Sequence, residues 1–139
     1  MKETDVQRPI VSFKDLEVYR NTYEASIVVM TEIVPKLPSC EKYDLRDQIS
    51  RASKAIPRLI AEGYAKRHQN KGFQKYLDDA MGECNEMIVS LSHCRDVYPQ
   101  HIDAELNEEL LDRYDKSGRQ LYNLAKAWST FKAKENRTT

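Results

Sequence analysis

The sequence predicts an all-α protein, an up-down-up-down four-helix bundle. Four long segments repeat their apolar residues at helical spacing, and short proline-rich or polar stretches separate them. The chain of 139 residues holds only 4 Gly and 5 Pro, too few for the many tight turns of a β-sandwich or barrel. Hydrophobic residues make up 40% and charged residues 32%, enough apolar material for a core and too much for disorder. The length suits one domain spanning residues 1–139, with loose ends expected at about 1–12 and 134–139.

The first segment runs from about Asp15 to Lys36 and ends at Pro35 and the Leu37-Pro38-Ser39 turn. Its expected core stripe is Leu16, Tyr19, Tyr23, Ile27, Met30 and Val34, with Ile33 and Leu37 beside it. Val18, Ala25 and Val29 widen the apolar surface to about 200°, and Val28 lies further round, whereas a bundle interior needs about 100–140°. The surplus points to self-association through Val18, Ala25 and Val29, or to cover by the chain's own N-terminal arm.

The second segment, about Tyr43 to Arg67, places Leu45, Ile49, Ala52, Ile56, Leu59, Ile60 and Gly63 on one face. Pro57 is expected to kink it, since proline removes a backbone donor and clashes with the preceding turn. The third, about Lys71 to Val97, gathers Phe73, Tyr76, Leu77, Ala80, Cys84, Met87, Ile88, Leu91, Cys94 and Tyr98 within about 120° of arc. The fourth, about Ala104 to Lys132, follows an N-cap at Asp103 and aligns Leu106, Leu110, Tyr114, Leu121, Leu124, Trp128 and Phe131. Two glycines interrupt helices, where each costs about 1 kcal/mol relative to alanine. Gly63 faces the core and is expected to permit close packing or to end its helix. Gly82 lies opposite the core, where another subunit's backbone can approach or a glycine is merely tolerated.

The formal net charge is zero, with 22 basic and 22 acidic residues. That balance excludes a basic coat over the whole surface, but the charge is segregated. Residues 46–75 carry eight Lys/Arg and two Asp/Glu, a net +6, and residues 76–115 carry a net −9. Residues 116–139 carry +5 and residues 1–45 carry −2. Arg51, Lys54 and Arg58 lie within about 60° of one another, opposite the second segment's core stripe. Asp79, Glu83 and Glu86 form an acidic strip on the third. Two readings stay open: solvated strips or strips that dock on each other between subunits, and a phosphate-binding surface multiplied by an oligomer. No aromatic stacking platform is expected, because most Tyr, Phe and Trp residues fall on core stripes.

Catalytic constellations are missing from the sequence. It has no GxGxxG, no P-loop and no GxSxG. Glu83-x-x-Glu86 is the nearest approach to a bundle metal site but lacks histidine, and His68, His93 and His101 have no helical partner at ligand spacing. The protein is therefore expected to be no enzyme, with no metal and no cofactor. Glu62 is expected in a structural ion pair, with Arg58 four residues earlier or between subunits. Cys40, Cys84 and Cys94 are odd in number without CxxC spacing, so no disulfide framework is expected, and Cys84 and Cys94 read as buried small hydrophobes. No apolar run approaches the about 18 residues of a membrane span. Met1-Lys2-Glu3-Thr4-Asp5 is unlike a signal peptide, and a cytoplasmic protein is expected.

Several strings then become recognisable. Phe13-Lys14-Asp15-Leu16-Glu17-Val18-Tyr19 resembles the opening FxDLxVW of a bacterial four-helix-bundle family, and Leu37-Pro38 with Glu41-Lys42-Tyr43-Asp44-Leu45 resembles its FPxxExYGL turn. Gln48-Ile49-Ser50-Arg51-Ala52 and Ile56-Pro57-Arg58-Leu59-Ile60-Ala61-Glu62-Gly63-Tyr64 resemble its QIRRAAxSIPxNIAEGxxR signature. Phe73, Tyr76-Leu77 and Ala80-Met81-Gly82-Glu83 resemble its EFxxFLxxAxGSxxE third helix. The family is the one named after proteins encoded in intervening sequences of bacterial 23S ribosomal RNA genes. This chain departs from the pattern at Asp44, Ser50 and Arg58-Leu59, where the family has Gly, Arg and Ser-Asn. The resemblance implies a homo-oligomer, a pentamer with a central channel. It also implies kinship with the bundle-shaped accessory protein of diversity-generating retroelements, which partners a reverse transcriptase and binds nucleic acid. From residues and resemblance together, the expected function is a non-enzymatic oligomeric bundle whose basic surface engages RNA, DNA or a nucleic-acid enzyme. The alternative is a purely structural or protein-interaction oligomer.

Overall fold

A computed structural model of the chain describes residues 9–138. The readings made for residues 1–8 and for residue 139 lie outside them. Four helices follow one another: α1 (Glu17–Val28), α2 (Leu45–Ala65), α3 (Gly72–Val97) and α4 (Ala104–Thr138). No strand occurs among the described residues. α1 packs on α2 and α4, and α3 packs on the same two helices, so the four form a closed ring around one core. Cross-links show antiparallel neighbours. Phe73 meets Trp128 and the Asn107 side-chain amide donates to the Leu91 carbonyl (2.9 Å) across α3 and α4, while Asn21 and Gln120 meet across α1 and α4. Short links and antiparallel neighbours make this an up-down-up-down bundle.

α1 begins after a 3-10 turn, Phe13–Asp15, capped at its start: Ser12 Oγ accepts from the Lys14 N–H (3.2 Å) and the Asp15 carboxylate accepts from the Ser12 N–H (3.0 Å). The predicted first helix does not run regularly to Lys36. After Val28 it widens into a π-turn, Val29–Ile33, and then tightens into a 3-10 turn, Val34–Lys36. Pro35 has no N–H to give the preceding turn, so the regular ladder fails just upstream of it. The irregular stretch lets Val29, Ile33, Val34 and Leu37 all reach the core.

α1 also turns a different face inward from the one predicted. Its buried residues are Val18, Thr22, Ala25 and Ser26, followed by Val29 and Ile33, at helical spacing. Tyr23 and Ile27, both expected inside, are each 49% exposed. The buried hydroxyls are satisfied by their own helix. Thr22 Oγ1 donates to the Val18 carbonyl (2.8 Å) and Ser26 Oγ to the Tyr23 carbonyl (2.6 Å). Local pairing removes the desolvation penalty that would keep Thr and Ser outside.

The other helices follow their predicted stripes, except that Phe131 on α4, expected inside, is 51% exposed beyond the end of the core. On α3, Phe73, Leu77, Ala80, Cys84, Met87, Leu91 and Cys94 are buried, and burial pushes the Cys84 and Cys94 thiols up to about 12. α2 is continuous through Pro57, which is itself buried. α4 continues past Lys132 to Thr138, because Ala133, Lys134 and Glu135 favour helix and no Gly or Pro stops it. Between α1 and α2, the Glu41 carboxylate accepts from the Leu45 N–H (3.2 Å) and from the Tyr98 hydroxyl, fastening the start of α2 to the end of α3.

Gly63 lies at a close approach of α2 to α3. A Cβ there would lie 2.6 Å from Tyr76 Cβ and 3.1 Å from Phe73 Cδ1. Gly63→Ala should therefore destabilise the fold by about 1–3 kcal/mol through overpacking, a cost that the alanine helix preference of about 1 kcal/mol offsets only partly. Urea unfolding should show a lower midpoint at unchanged slope. A midpoint at or above that of the parent would show that the two helices have room to spare.

Candidate nucleic-acid interface

Arg51, Lys54 and Arg58 all project from the exposed face of α2, as their spacing predicts. Their surroundings differ. Arg51 Nε pairs with Asp47 Oδ2 four residues earlier at 3.0 Å, whereas Lys54 and Arg58 make no hydrogen bond or ion pair within the described residues. The acidic strip of α3 lies across the α2–α3 seam in the same chain. Burial and a hydrogen-bonded Glu86 raise the Glu83 carboxyl above its ordinary 4.5, and the positive charges of Arg51 and Arg58 pull it part of the way back. Glu83 of the acidic strip thus lies within reach of the Arg51 and Arg58 charges in the same chain. Lys54 lies further from the seam, toward α1.

On that side Lys54 and Arg58 border a groove of 250 Å³ between α1 and α2, lined also by Phe13, Tyr19, Tyr23, Ser26, Pro57 and Ala61. Its walls are almost wholly apolar and none of its lining residues is acidic. The Tyr19 and Tyr23 rings stack at 6.0 Å with planes 24° apart, and Phe13 meets Tyr19 edge-on at 4.8 Å. The expectation that no aromatic platform would be available is corrected here: Tyr23 left the core when α1 turned its small residues inward. Those small residues at Thr22, Ala25 and Ser26 were the signal that could have revealed it.

The residues proposed for self-association separate into two groups. Val18, Ala25 and Val29 are only 4%, 2% and 0% exposed within the single chain, so they are core and offer no surface to a second subunit. Exposed apolar groups on α1 are Tyr23 and Ile27 instead, with Val89 and Val97 on α3 and Tyr122 on α4. Glu62 is exposed and forms no ion pair with Arg58. Its charge acts at a distance on Lys66, four residues on. Gly82 is exposed, with nothing within 4 Å of where a Cβ would lie.

A second basic region lies at the end of the bundle where the α2–α3 turn meets the last turns of α4. His68, Lys71 and Lys132 line a polar cleft of 370 Å³ beside Trp128, and the Lys66 ammonium donates to the Tyr76 hydroxyl (2.7 Å). The opposite end, at the α3–α4 turn, carries Asp96 and Glu108, both held by Arg95. Segregated charge along the sequence becomes polarity along the bundle. No group of three or more His, Cys, Asp or Glu side chains suited to a metal occurs among the described residues. Among the described residues, no helix is long and apolar enough to cross a membrane.

Residues 14–123 match the family model described as 23S rRNA-intervening sequence protein. The match runs from the N-terminal turn into α4, well past residue 98, where the recognisable motifs end. No curated protein matches the chain.

Because the Glu83 carboxyl is raised above 4.5 in the fold, its contribution to stability is fully present below that pH and is lost as pH rises through the folded value. Glu83→Gln removes this loss. The variant should gain stability relative to the parent as pH rises from about 4 to about 7, by less than about 1 kcal/mol for so accessible a group. Urea midpoints at several pH values measure it. A difference that does not change with pH would show that Glu83 is no more strained than a free carboxylate.

Proposed function

The chain belongs to the 23S rRNA-intervening sequence protein family, and on that premise we propose that it is a non-enzymatic, homo-oligomeric bundle that binds nucleic acid through the outer face of α2. Lys54 and Arg58 are the observation that carries the reading: two exposed cations, one helical turn apart, neither held in a hydrogen bond or ion pair among the described residues, with an acid-free groove beside them. Unpaired cations so placed are suited to phosphate, which releases counterions on binding and needs no base-specific contact. The basic end around Lys71 extends the same potential, with Lys132 beside it paired to Glu135 at 3.7 Å. Assembly multiplies each patch, so binding is avid even where one contact is weak. The exposed Ile27, Val89 and Val97 supply apolar surface for that assembly, and five subunits is the number the family resemblance implies. A reverse transcriptase or another nucleic-acid enzyme is the kind of protein partner that fits this role.

A second reading, a structural or protein-interaction oligomer, is favoured by one observation. Asp47 and Glu83 already offset part of the basic strip within the chain.

Fluorescence anisotropy with mixed-sequence single-stranded RNA and DNA separates the two readings, with light scattering run on the same samples. The parent should bind with affinity that falls steeply with salt, at a mass several times 16.2 kDa. Lys54→Glu with Arg58→Glu should abolish binding and keep that mass. Any residual binding should have a log–log salt slope smaller by about 1.4 per subunit, the share of two single-strand phosphate contacts. A parent that binds nothing at low salt decides for the structural reading, and a parent mass of 16.2 kDa removes the oligomer from both.

A further inference from the structure

The α1–α2 groove has the shape and chemistry for more than a phosphate. We infer that it takes one unpaired nucleobase, laid against the Tyr19–Tyr23 pair while the flanking phosphates rest on Lys54 and Arg58. This rests on the nucleic-acid reading and adds to it which form of nucleic acid the surface selects.

Four observations converge on the groove. Tyr23 is 49% exposed although it is aromatic, so a large planar surface is left without cover. It is held in place by stacking on Tyr19, which Phe13 braces edge-on, so little rotamer freedom remains to be lost on binding. The volume, 250 Å³, falls just below the usual range of about 300–1,000 Å³ for small-molecule sites. That accommodates a single ring system and is too small for a helix of another protein. Lys54 and Arg58 then stand one turn apart along the lining, neither held in a hydrogen bond or ion pair among the described residues, with no carboxylate in the lining to repel a phosphate. Apolar walls with cations only at the edge match a nucleotide, whose base is flat and whose charge is carried outside the ring.

The other clefts fit less well. The α3–α4 cleft beside Tyr122 has its cation, Arg119, already paired with Asp115. The cleft at the basic end has its one aromatic, Trp128, committed edge-on to Phe73 and tilted against Phe131.

Stacking of this kind needs a base that has left its helix. Within a duplex the base faces are occupied by their neighbours, so the groove can act only on single strands, loops or ends. No donor or acceptor set in the groove reads base edges, so sequence preference should be small.

The test compares the full-length parent with Tyr23→Ala and Tyr23→Phe, using a fluorescein-labelled mixed-sequence single-stranded RNA and the same RNA annealed to its complement. The parent should favour the single strand. Tyr23→Ala should weaken single-strand binding by about 10-fold or more, the loss of one base–aromatic stack, with duplex binding and the salt slope unchanged because no phosphate contact is removed. Tyr23→Phe should bind like the parent. Circular dichroism confirms that each variant is folded, which the exposure of Tyr23 favours. Equal affinity of parent and Tyr23→Ala for the single strand overturns the inference and leaves phosphate binding standing. A parent that binds neither RNA overturns the nucleic-acid reading itself. A lower oligomeric mass for Tyr23→Ala by light scattering, with the ratio of single-strand to duplex affinity unchanged, overturns the inference by assigning the groove to a subunit contact.

Discussion

The seam of small residues along α1 sets the geometry on which the α1–α2 groove depends. Thr22, Ala25 and Ser26 are buried together with Val18 and Val29, and the two hydroxyls bond to carbonyls of their own helix. A hydroxyl satisfied in this way behaves in the core almost as a methyl group of similar size. With that face inward, Tyr19 and Tyr23 come to the side of the helix that borders α2. There they meet Lys54, Pro57 and Arg58 and form the groove. Had α1 buried its tyrosines, the outer face of α2 would present cations alone.

The degree to which sequence revealed the structure follows the same physics. α3 is the clearest case: apart from Ser90 its buried residues are apolar and recur at helical spacing, so periodicity alone places them. α1 misleads because apolarity ranks Tyr and Ile above Thr and Ser, and a side-chain hydroxyl bonded to its own backbone leaves no trace in periodicity. Pro35 announces the end of α1, but not the π-turn before it, which depends on where Val29, Ile33, Val34 and Leu37 find room. At the site, the exposure of Arg51, Lys54 and Arg58 was legible from their spacing on α2. That Glu83 would face Arg51 and Arg58 depends on how α2 and α3 are set against each other, through the bare backbone at Gly63.

Electrostatics gives the neutral chain its direction. Basic residues from the middle of the sequence and from its C-terminal part meet at the α2–α3 end, and acidic residues collect at the α3–α4 end. A net charge of zero is therefore compatible with a local positive surface, since potential within about 8–10 Å depends on neighbours and not on the total. Within that surface, internal pairing separates structural cations from available ones. Arg51 is held by Asp47, whereas Lys54 and Arg58 border the groove unpaired.

The proposed role of Tyr23, exposed on α1 beside Lys54 and Arg58, is to receive an unpaired base. Photo-crosslinking addresses it most directly: a single-stranded RNA carrying a photoactivatable uracil is irradiated with the full-length protein, and the adduct is mapped by peptide mass spectrometry. The account predicts a base adduct on Tyr19 or Tyr23. An adduct confined to the cleft around Lys71 and Lys132, or none on any residue, would contradict it.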